Sequence, residues 1–357
     1  MRIIVSAGGS GGHVYPALGL IEKIKEDKNN EYLFVGTTDR MESKVVPEMN
    51  IPYESLYIHS FNKNIIKDIK NTFSIYKAYK KSKKIIKLFK PDVVVGFGGY
   101  VTFPLLLAAK KMKVKTAIHE QNYIPGKSNK ILSKFTDVIF TSFEESFKYF
   151  DKKKVIYTGN PCSERAEKIK KIEKESLGFH KDKKFIIIVM GSLGSSSVSE
   201  KLKLFLTSFK DYDKEILYIV GKQNSSDIKN LIVPKNTLIV DYVENLPGLL
   251  KDADLVISRA GASTISELLA LEIPSILLPS PYVANNHQYF NAKDLNDKHL
   301  SFMLEEKDLN EKSLALVIRN ILDNDKMYNS YKTSLSKNKK MKSSTIMYKE
   351  LNNLIKK

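Results

Sequence analysis

Residues 2–16 read Arg-Ile-Ile-Val-Ser-Ala-Gly-Gly-Ser-Gly-Gly-His-Val-Tyr-Pro. A short β-branched run passes into a glycine-rich loop, and the loop opens onto spaced apolar residues, Leu18, Ile21 and Ile24. That order, strand then loop then amphipathic helix, is the first half of a βαβ unit. Pro16 is expected in the opening turn of the helix, where its missing N–H costs nothing.

The same alternation continues outward. Strand-like runs fall at 3–6, 32–35, 93–96, 116–119 and 138–141, and again at 185–190, 216–220, 237–240, 255–258 and 275–278. Amphipathic stretches separate them, the mark of parallel sheets covered by helices. At 357 residues the chain exceeds what one core usually fills. The segment Tyr157-Thr158-Gly159-Asn160-Pro161, followed by a charged stretch at 164–184, is the natural break. The fold class expected is therefore α/β, with two doubly wound, Rossmann-like domains facing across a cleft. Their bounds are 1–160, joined by a final helix at 343–357, and 161–342. In such sheets ligands sit beyond the carboxyl ends of the strands, so the informative residues should lie in the βα loops.

Composition narrows the classes. Hydrophobic residues at 42% and aromatics at 10% exclude wholesale disorder. The single cysteine, Cys162, cannot form an internal disulfide, which fits a reducing cytoplasm. No leader pattern and no membrane-spanning apolar run are read. A net charge of +18 favours an anionic partner.

Gly8, Gly9, Ser10, Gly11, Gly12 and His13 form the first loop. Its glycines let amides approach an anion at a helix N-terminus, and His13 places a titratable group at the helix mouth. It is not a dinucleotide fingerprint, because position 14 is Val14, and no Lys-Ser/Thr follows as in a P-loop. Gly96, Gly98, Gly99 and Tyr100 make a second such loop. His119, Glu120, Gln121 and Asn122 put four polar side chains at a strand's carboxyl end, a pattern read as a site rather than core. In the second half, strand 255–258 runs through Arg259, Ala260 and Gly261 into Ala262, Ser263 and Thr264, a setting for a nucleotide diphosphate. Thr264 and Glu267 match a capping box, and a carboxylate there can also accept from ribose hydroxyls. Gly191–Ser195 is a further anion loop. Two Asp-x-Asp sequences, at Asp211 and Asp252, lie outside βα loops and read as structural. No metal ligand set and no cofactor are expected, and Arg259 is a candidate substitute for a cation.

Residues 63–90 hold ten lysines and one acid, Asp68. Ile69, Phe73 and Tyr76, then Ile85, Leu88 and Phe89, recur at helical spacing and are expected to form the apolar face, with lysines on the other. A basic amphipathic helix suits an acidic membrane surface. With no helix-turn-helix or RNP-type motif, nucleic acid is not expected.

Six ordered motifs, GGSGGHVYP (8–16), VVVGFGGYVTFP (93–104), IHEQN (118–122), YTGNP (157–161), SRAGASTISELLAL (258–271) and NNHQYFNA (285–292), together resemble the MurG family within glycosyltransferase family 28. The resemblance spans essentially the whole chain. It implies a GT-B fold and inverting transfer of GlcNAc from UDP-GlcNAc to the muramyl C4 hydroxyl of lipid I, giving lipid II at the cytoplasmic face of the membrane, as a peripheral protein among other cell-wall synthesis proteins. It implies His13 and Glu120 as catalytic groups. Donor contacts would come from Ser10, Gly11, Gly12, Asn122, Ser163, Ser192, Val243, Ala262, Ser263, Thr264, Glu267 and Gln288, and acceptor contacts from Gly8, Gly9, Gly98, Gly99 and Tyr100. Three positions depart from the family pattern: Ser163 stands for Arg, His287 for the first of two Gln, and Leu193 for Gln. A GT-B glycolipid synthase, a UDP-sugar epimerase or a non-catalytic basic binding module are the alternatives.

Overall fold

Runs such as Ile3-Ile4-Val5 and Val93-Val94-Val95 are apolar at every position, and both faces of such strands must be covered. The computed structural model shows how. The residues described are 1–58, 65–191, 194–221, 228 and 230–356, with side chains in the basic helix described from Phe73 onward. The chain divides into two units, 1–164 with 341–357, and 165–340. The boundary read from the sequence lay at 160.

The first unit runs β1 (Arg2–Ser6), α1 (Gly11–Lys25), β2 (Glu31–Thr37), α2 (Glu42–Glu48), β3 (Tyr53–Leu56), α3 (Ile65–Phe89), β4 (Val93–Gly96), α4 (Thr102–Lys111), β5 (Lys115–Glu120), α5 (Lys127–Leu132), β6 (Val138–Thr141) and β7 (Val155–Tyr157), and α6 (Cys162–Lys168) leads out of it. Its seven strands are all parallel, in the order β3-β2-β1-β4-β5-β6-β7. Ile3, Val5, Val93 and Val95 pack on one face with Val14, Leu18 and Ile21 of α1. Ile4, Val94 and Ile118 pack on the other with Ile85 and Ile86 of α3 and Leu105 of α4. The sequence reading passed over β3, a four-residue strand at the sheet's edge.

The second unit runs β8 (Lys184–Val189), α7 (Ser196–Ser208), β9 (Lys214–Ile219), β10 (Thr237–Val240), α8 (Leu246–Leu250), β11 (Leu255–Ser258), α9 (Ala262–Ala270), β12 (Ser275–Leu277), α10 (His287–Asp297), β13 (Phe302–Met303), α11 (Glu311–Leu322) and α12 (Asp325–Lys337). Six parallel strands lie in the order β10-β9-β8-β11-β12-β13. The last helix, α13 (Ser343–Lys356), belongs to the first unit, where Met347 and Leu351 join the α1 face of the core.

Two local expectations are corrected here. Pro16 is the sixth residue of α1 rather than part of its opening turn, because the helix begins on Gly11. Its missing N–H removes the helical partner of the Gly12 carbonyl. In α3 the apolar face is only partly the expected one: Ile85 is buried and Phe89 packs against the core, as expected. Ser74, Ala78, Ser82, Ile85 and Ile86 are buried, whereas Phe73, Tyr76 and Leu88 are 59%, 51% and 72% exposed. Small residues face inward because α3 packs closely on α4, and this turns the aromatics outward beside lysines. The Lys77 ammonium lies 4.5 Å from the Phe73 ring centre and Lys80 lies 4.7 Å from Tyr76. Lys63, and the side chain of Ile69, fall outside the described residues.

Candidate functional site

In the first sheet the strand order reverses between β1 and β4, and loops diverging at such a point open a crevice. The two glycine loops read from the sequence follow these two strands. They touch: the Gly8 N–H donates to the Gly98 carbonyl at 3.2 Å. A Cβ on Gly99, which sits at φ +88°, would lie 2.4 Å from the Gly8 carbonyl oxygen. One on Gly98, at φ +110°, would lie 2.9 Å from His13 Nε2. Only glycine permits this approach. Gly99→Ala is therefore expected to destabilise the protein by more than about 2 kcal/mol. Gly9→Ala, at φ +93° with nothing within 4 Å of its added Cβ, should cost about 1 kcal/mol, the left-handed penalty alone. Urea unfolding of the two variants measures the contrast.

His13 is the third residue of α1. Its Nδ1 lies 3.1 Å from the Gly8 carbonyl oxygen and 3.5 Å from the Ser10 hydroxyl. Facing a carbonyl, Nδ1 carries the hydrogen, so in the neutral ring Nε2 holds the lone pair. The first-turn amides of α1, those of Gly11 and Gly12 among them, have no acceptor in the helix. Ser10 and Gly12 are exposed, Gly11 is part-exposed, and Tyr100 is 45% exposed beside them.

Beneath this loop is a residue the sequence reading missed. Glu42 is fully buried and accepts from Gly9 N at 3.2 Å, Thr37 N at 3.1 Å and Thr37 Oγ1 at 2.7 Å. Nothing local to residues 40–43 marks it, since its partners are the end of β2 and the loop after β1.

The third loop is corrected more sharply. His119, Glu120 and Gln121, expected at the surface of a site, are 0%, 1% and 2% exposed. They are tolerated in the core because they hold backbone groups. His119 Nε2 donates to the Gly159 carbonyl at 3.0 Å, and burial pulls the imidazole down to about 4, so it is neutral. Gln121 Nε2 donates to the Phe97 carbonyl at 2.6 Å. Glu120 accepts at Oε1 from Asn122 N (2.9 Å) and Asn122 Nδ2 (3.3 Å), and at Oε2 from Gly126 N (3.0 Å) and Asn129 Nδ2 (2.8 Å). Burial raises its pKa, against the pull of those four bonds. Both oxygens are engaged in shaping the turn that carries Asn122, which is part-exposed. Ser163 also serves locally, donating to the Asn160 carbonyl at 2.8 Å and lying 3.4 Å from the Ser343 hydroxyl.

In the second sheet the order reverses between β8 and β11. Ser192 and Leu193, in the loop after β8, lie outside the described residues. After β11, Gly261 is the N-cap of α9, and Ala262, Ser263 and Thr264 form its first turn. The capping-box expectation therefore fails: Thr264 is inside the helix and Glu267 lies in the second turn. The small, extended Gly261 starts the helix three residues early. Freed of that role, the Glu267 carboxyl makes no hydrogen bond among the described residues. Burial pushes it up to about 7, with only the Arg165 guanidinium pulling it down. Among the described residues Ser263 Oγ is buried without a partner, whereas Glu267 is part-exposed.

Val243 lies part-exposed between β10 and α8. Gln288 is in the first turn of α10, its Oε1 accepting from Ser280 N at 2.9 Å. Asn285 and Asn286, at φ +55° and +49°, make a left-handed entry to that helix, a conformation asparagine bears better than most residues. His287 turns back on the loop, its Nδ1 lying 2.8 Å from the Ala284 carbonyl oxygen. Three of the four Asp-x-Asp residues are paired: Asp211 with Lys214, Asp252 with Lys171, and Asp254 with the Phe185 N–H. Glu173, Glu175 and Asp252 form one acidic cluster among the described residues, with Lys171 bridging Glu173 and Asp252 at 2.8 and 2.7 Å.

Two doubly wound parallel units, each with glycine loops at its switch point, define the GT-B class of glycosyltransferase. The chain belongs to glycosyltransferase family 28: residues 3–141 match the family's N-terminal domain and residues 185–346 its C-terminal domain. It is 38% identical, over all of both chains, to the Bacillus cereus UDP-N-acetylglucosamine--N-acetylmuramyl-(pentapeptide) pyrophosphoryl-undecaprenol N-acetylglucosamine transferase 1. It is 41% identical to the Bacillus cytotoxicus protein of the same activity, over 86% of each chain. Among solved structures, Acinetobacter baumannii MurG matches 99% of both chains with a TM-score of 0.78 and 25% identity.

Proposed function

We propose that the protein transfers GlcNAc from UDP-GlcNAc to the muramyl C4 hydroxyl of lipid I, forming lipid II, with inversion at the anomeric carbon. Full-length likeness to relatives named for this transfer carries the reading. The first unit takes the acceptor and the second the donor. His13 Nε2 accepts the proton of the attacking hydroxyl as the bond from sugar to diphosphate breaks. His13 is preferred to Glu120 because it is part-exposed in the first turn of α1, whereas four N–H donors hold the buried Glu120 carboxylate. The amides opening α9 stabilise the departing diphosphate, and Glu267 accepts from the ribose hydroxyls. The test is transfer of labelled GlcNAc from UDP-GlcNAc to a lipid I analogue. A disaccharide product is expected, and its absence overturns the reading.

No helix among the described residues is long and apolar enough to cross a membrane. Lipid I nonetheless lies in one, and the exposed face of α3, with Phe73, Tyr76, Lys77 and Lys80, supports attachment to an acidic leaflet. At about 1 kcal/mol per lysine, Lys77→Gln with Lys80→Gln should weaken binding to vesicles rich in phosphatidylglycerol about 30-fold. Binding to neutral vesicles should change little. Sedimentation at two salt concentrations reads both.

A further inference from the structure

Arg259, the first residue after β11, stands at the switch point of the second sheet and is 8% exposed. Three of its five N–H donors meet protein acceptors. Nη2 donates to Glu306 Oε2 at 2.6 Å and to Ser195 Oγ at 2.7 Å, and Nη1 donates to the Leu278 carbonyl at 3.2 Å. These acceptors come from three different loops. Ser195 ends the glycine loop after β8 and is the N-cap of α7. Leu278 follows β12, and Glu306 opens a short turn after β13. Glu306 is itself 6% exposed, and its carbonyl accepts from Lys201 of α7. One side chain thus ties together the loops at the carboxyl ends of β8, β11, β12 and β13.

From sequence, Arg259 was a candidate substitute cation for the leaving diphosphate. The geometry assigns another role, because a buried carboxylate neutralises the charge and protein acceptors take both Nη2 donors and one of Nη1. We infer that the Arg259–Glu306 pair is a positioning device for the donor, an inference that rests on the second unit being the donor side. The pair holds the Ser195 end of the glycine loop at a fixed distance from the N-terminus of α9, across the crevice where a diphosphate binds in sheets of this kind.

Removing one partner leaves a buried charge and endangers the fold, whereas replacing both by apolar residues is often tolerated. The decisive variant is therefore the double one, Arg259→Met with Glu306→Leu, which also leaves net charge unchanged. Any loss of donor affinity then reports loop placement rather than a weaker positive field. The measurements are calorimetric Kd for UDP-GlcNAc, KM for donor and acceptor, and Tm. The double variant should keep its Tm within a few degrees. Its donor Kd and KM should rise about 10- to 100-fold, the cost of a misplaced binding group, with acceptor KM unmoved. Ser195→Ala should raise donor Kd about fivefold, and Glu306→Gln should weaken donor binding too. Tighter binding by Glu306→Gln would mean that Arg259 is a phosphate ligand held in check, and would overturn the inference. So would an unmoved donor Kd in the folded double variant. Wild-type protein with no affinity for UDP-GlcNAc would overturn both this inference and the donor reading beneath it.

Discussion

His13→Ala is expected to lower kcat by about 10²- to 10⁴-fold, the usual contribution of a general base, with the Kd for UDP-GlcNAc within about twofold of wild type. That is about 2.7–5.5 kcal/mol of transition-state stabilisation. Position and tautomer are the reasons. The Gly8 carbonyl oxygen, 3.1 Å from Nδ1, directs the ring so that Nε2 is the basic nitrogen, and Gly98 leaves the space that a Cβ would fill. Donor affinity should survive on the proposed reading, in which the second unit takes the nucleotide and His13 meets only the acceptor hydroxyl. Single-turnover transfer, together with calorimetry, separates the two quantities. Normal turnover in His13→Ala would move the base to Glu120. In that event Glu120→Gln would abolish transfer, instead of chiefly lowering Tm through its lost hydrogen bonds.

Glu267→Gln should weaken UDP-GlcNAc binding about 10²-fold or more, since two ribose hydroxyls lose a charged acceptor worth about 1.5–3 kcal/mol each. Its pH dependence follows from burial. With the folded carboxyl at about 7 and the ordinary value at 4.5, the group is substantially protonated below neutrality. Hydroxyls donate to the ionised form, so wild-type affinity should fall as pH drops through 7, approaching tenfold per unit. Glu267→Gln should be flat over that range. Stability runs the opposite way. A carboxyl whose folded pKa is raised favours the folded state below 4.5, and that advantage disappears as pH rises through 7. Glu267→Gln should therefore melt above wild type at pH 8 and level with it near pH 4.5. A variant that binds less and melts higher is what a group held for function at a cost in stability predicts. Equal melting at pH 8 would place the charge in water.

Much of the fold was legible because its signals are local. β-branched runs mark strands by residue type, glycine marks the loops by its freedom at positive φ, and their alternation marks parallel sheets. The exceptions follow the same logic. β3 and β13 are short edge strands with little side chain to bury, so their sequences carry little signal. The site was legible to the extent that it consists of loops. Residue type and order alone put Gly8, Gly98, Gly99, His13 and the start of α9 at strand ends.

The sequence by itself therefore determined the two sheets and which glycine loops stand at the carboxyl ends of their strands. What only the tertiary structure decided is how each polar side chain is used, because the partners come from distant segments. Thr264 and Glu267 have the spacing of a cap, yet Gly261 starts the helix and leaves Glu267 without a hydrogen bond among the described residues. His119, Glu120 and Gln121 look like a surface site, yet the chain crossing at 159 and the turn at 126 bury them as a scaffold. Phe73 and Tyr76 look like core until α4 claims the small-residue face of α3. Arg259 looks like a free cation until Glu306, 47 residues on, neutralises it. Backbone preference is a property of neighbours in sequence. Charge pairing and burial are properties of neighbours in space, and the order of the strands sets those.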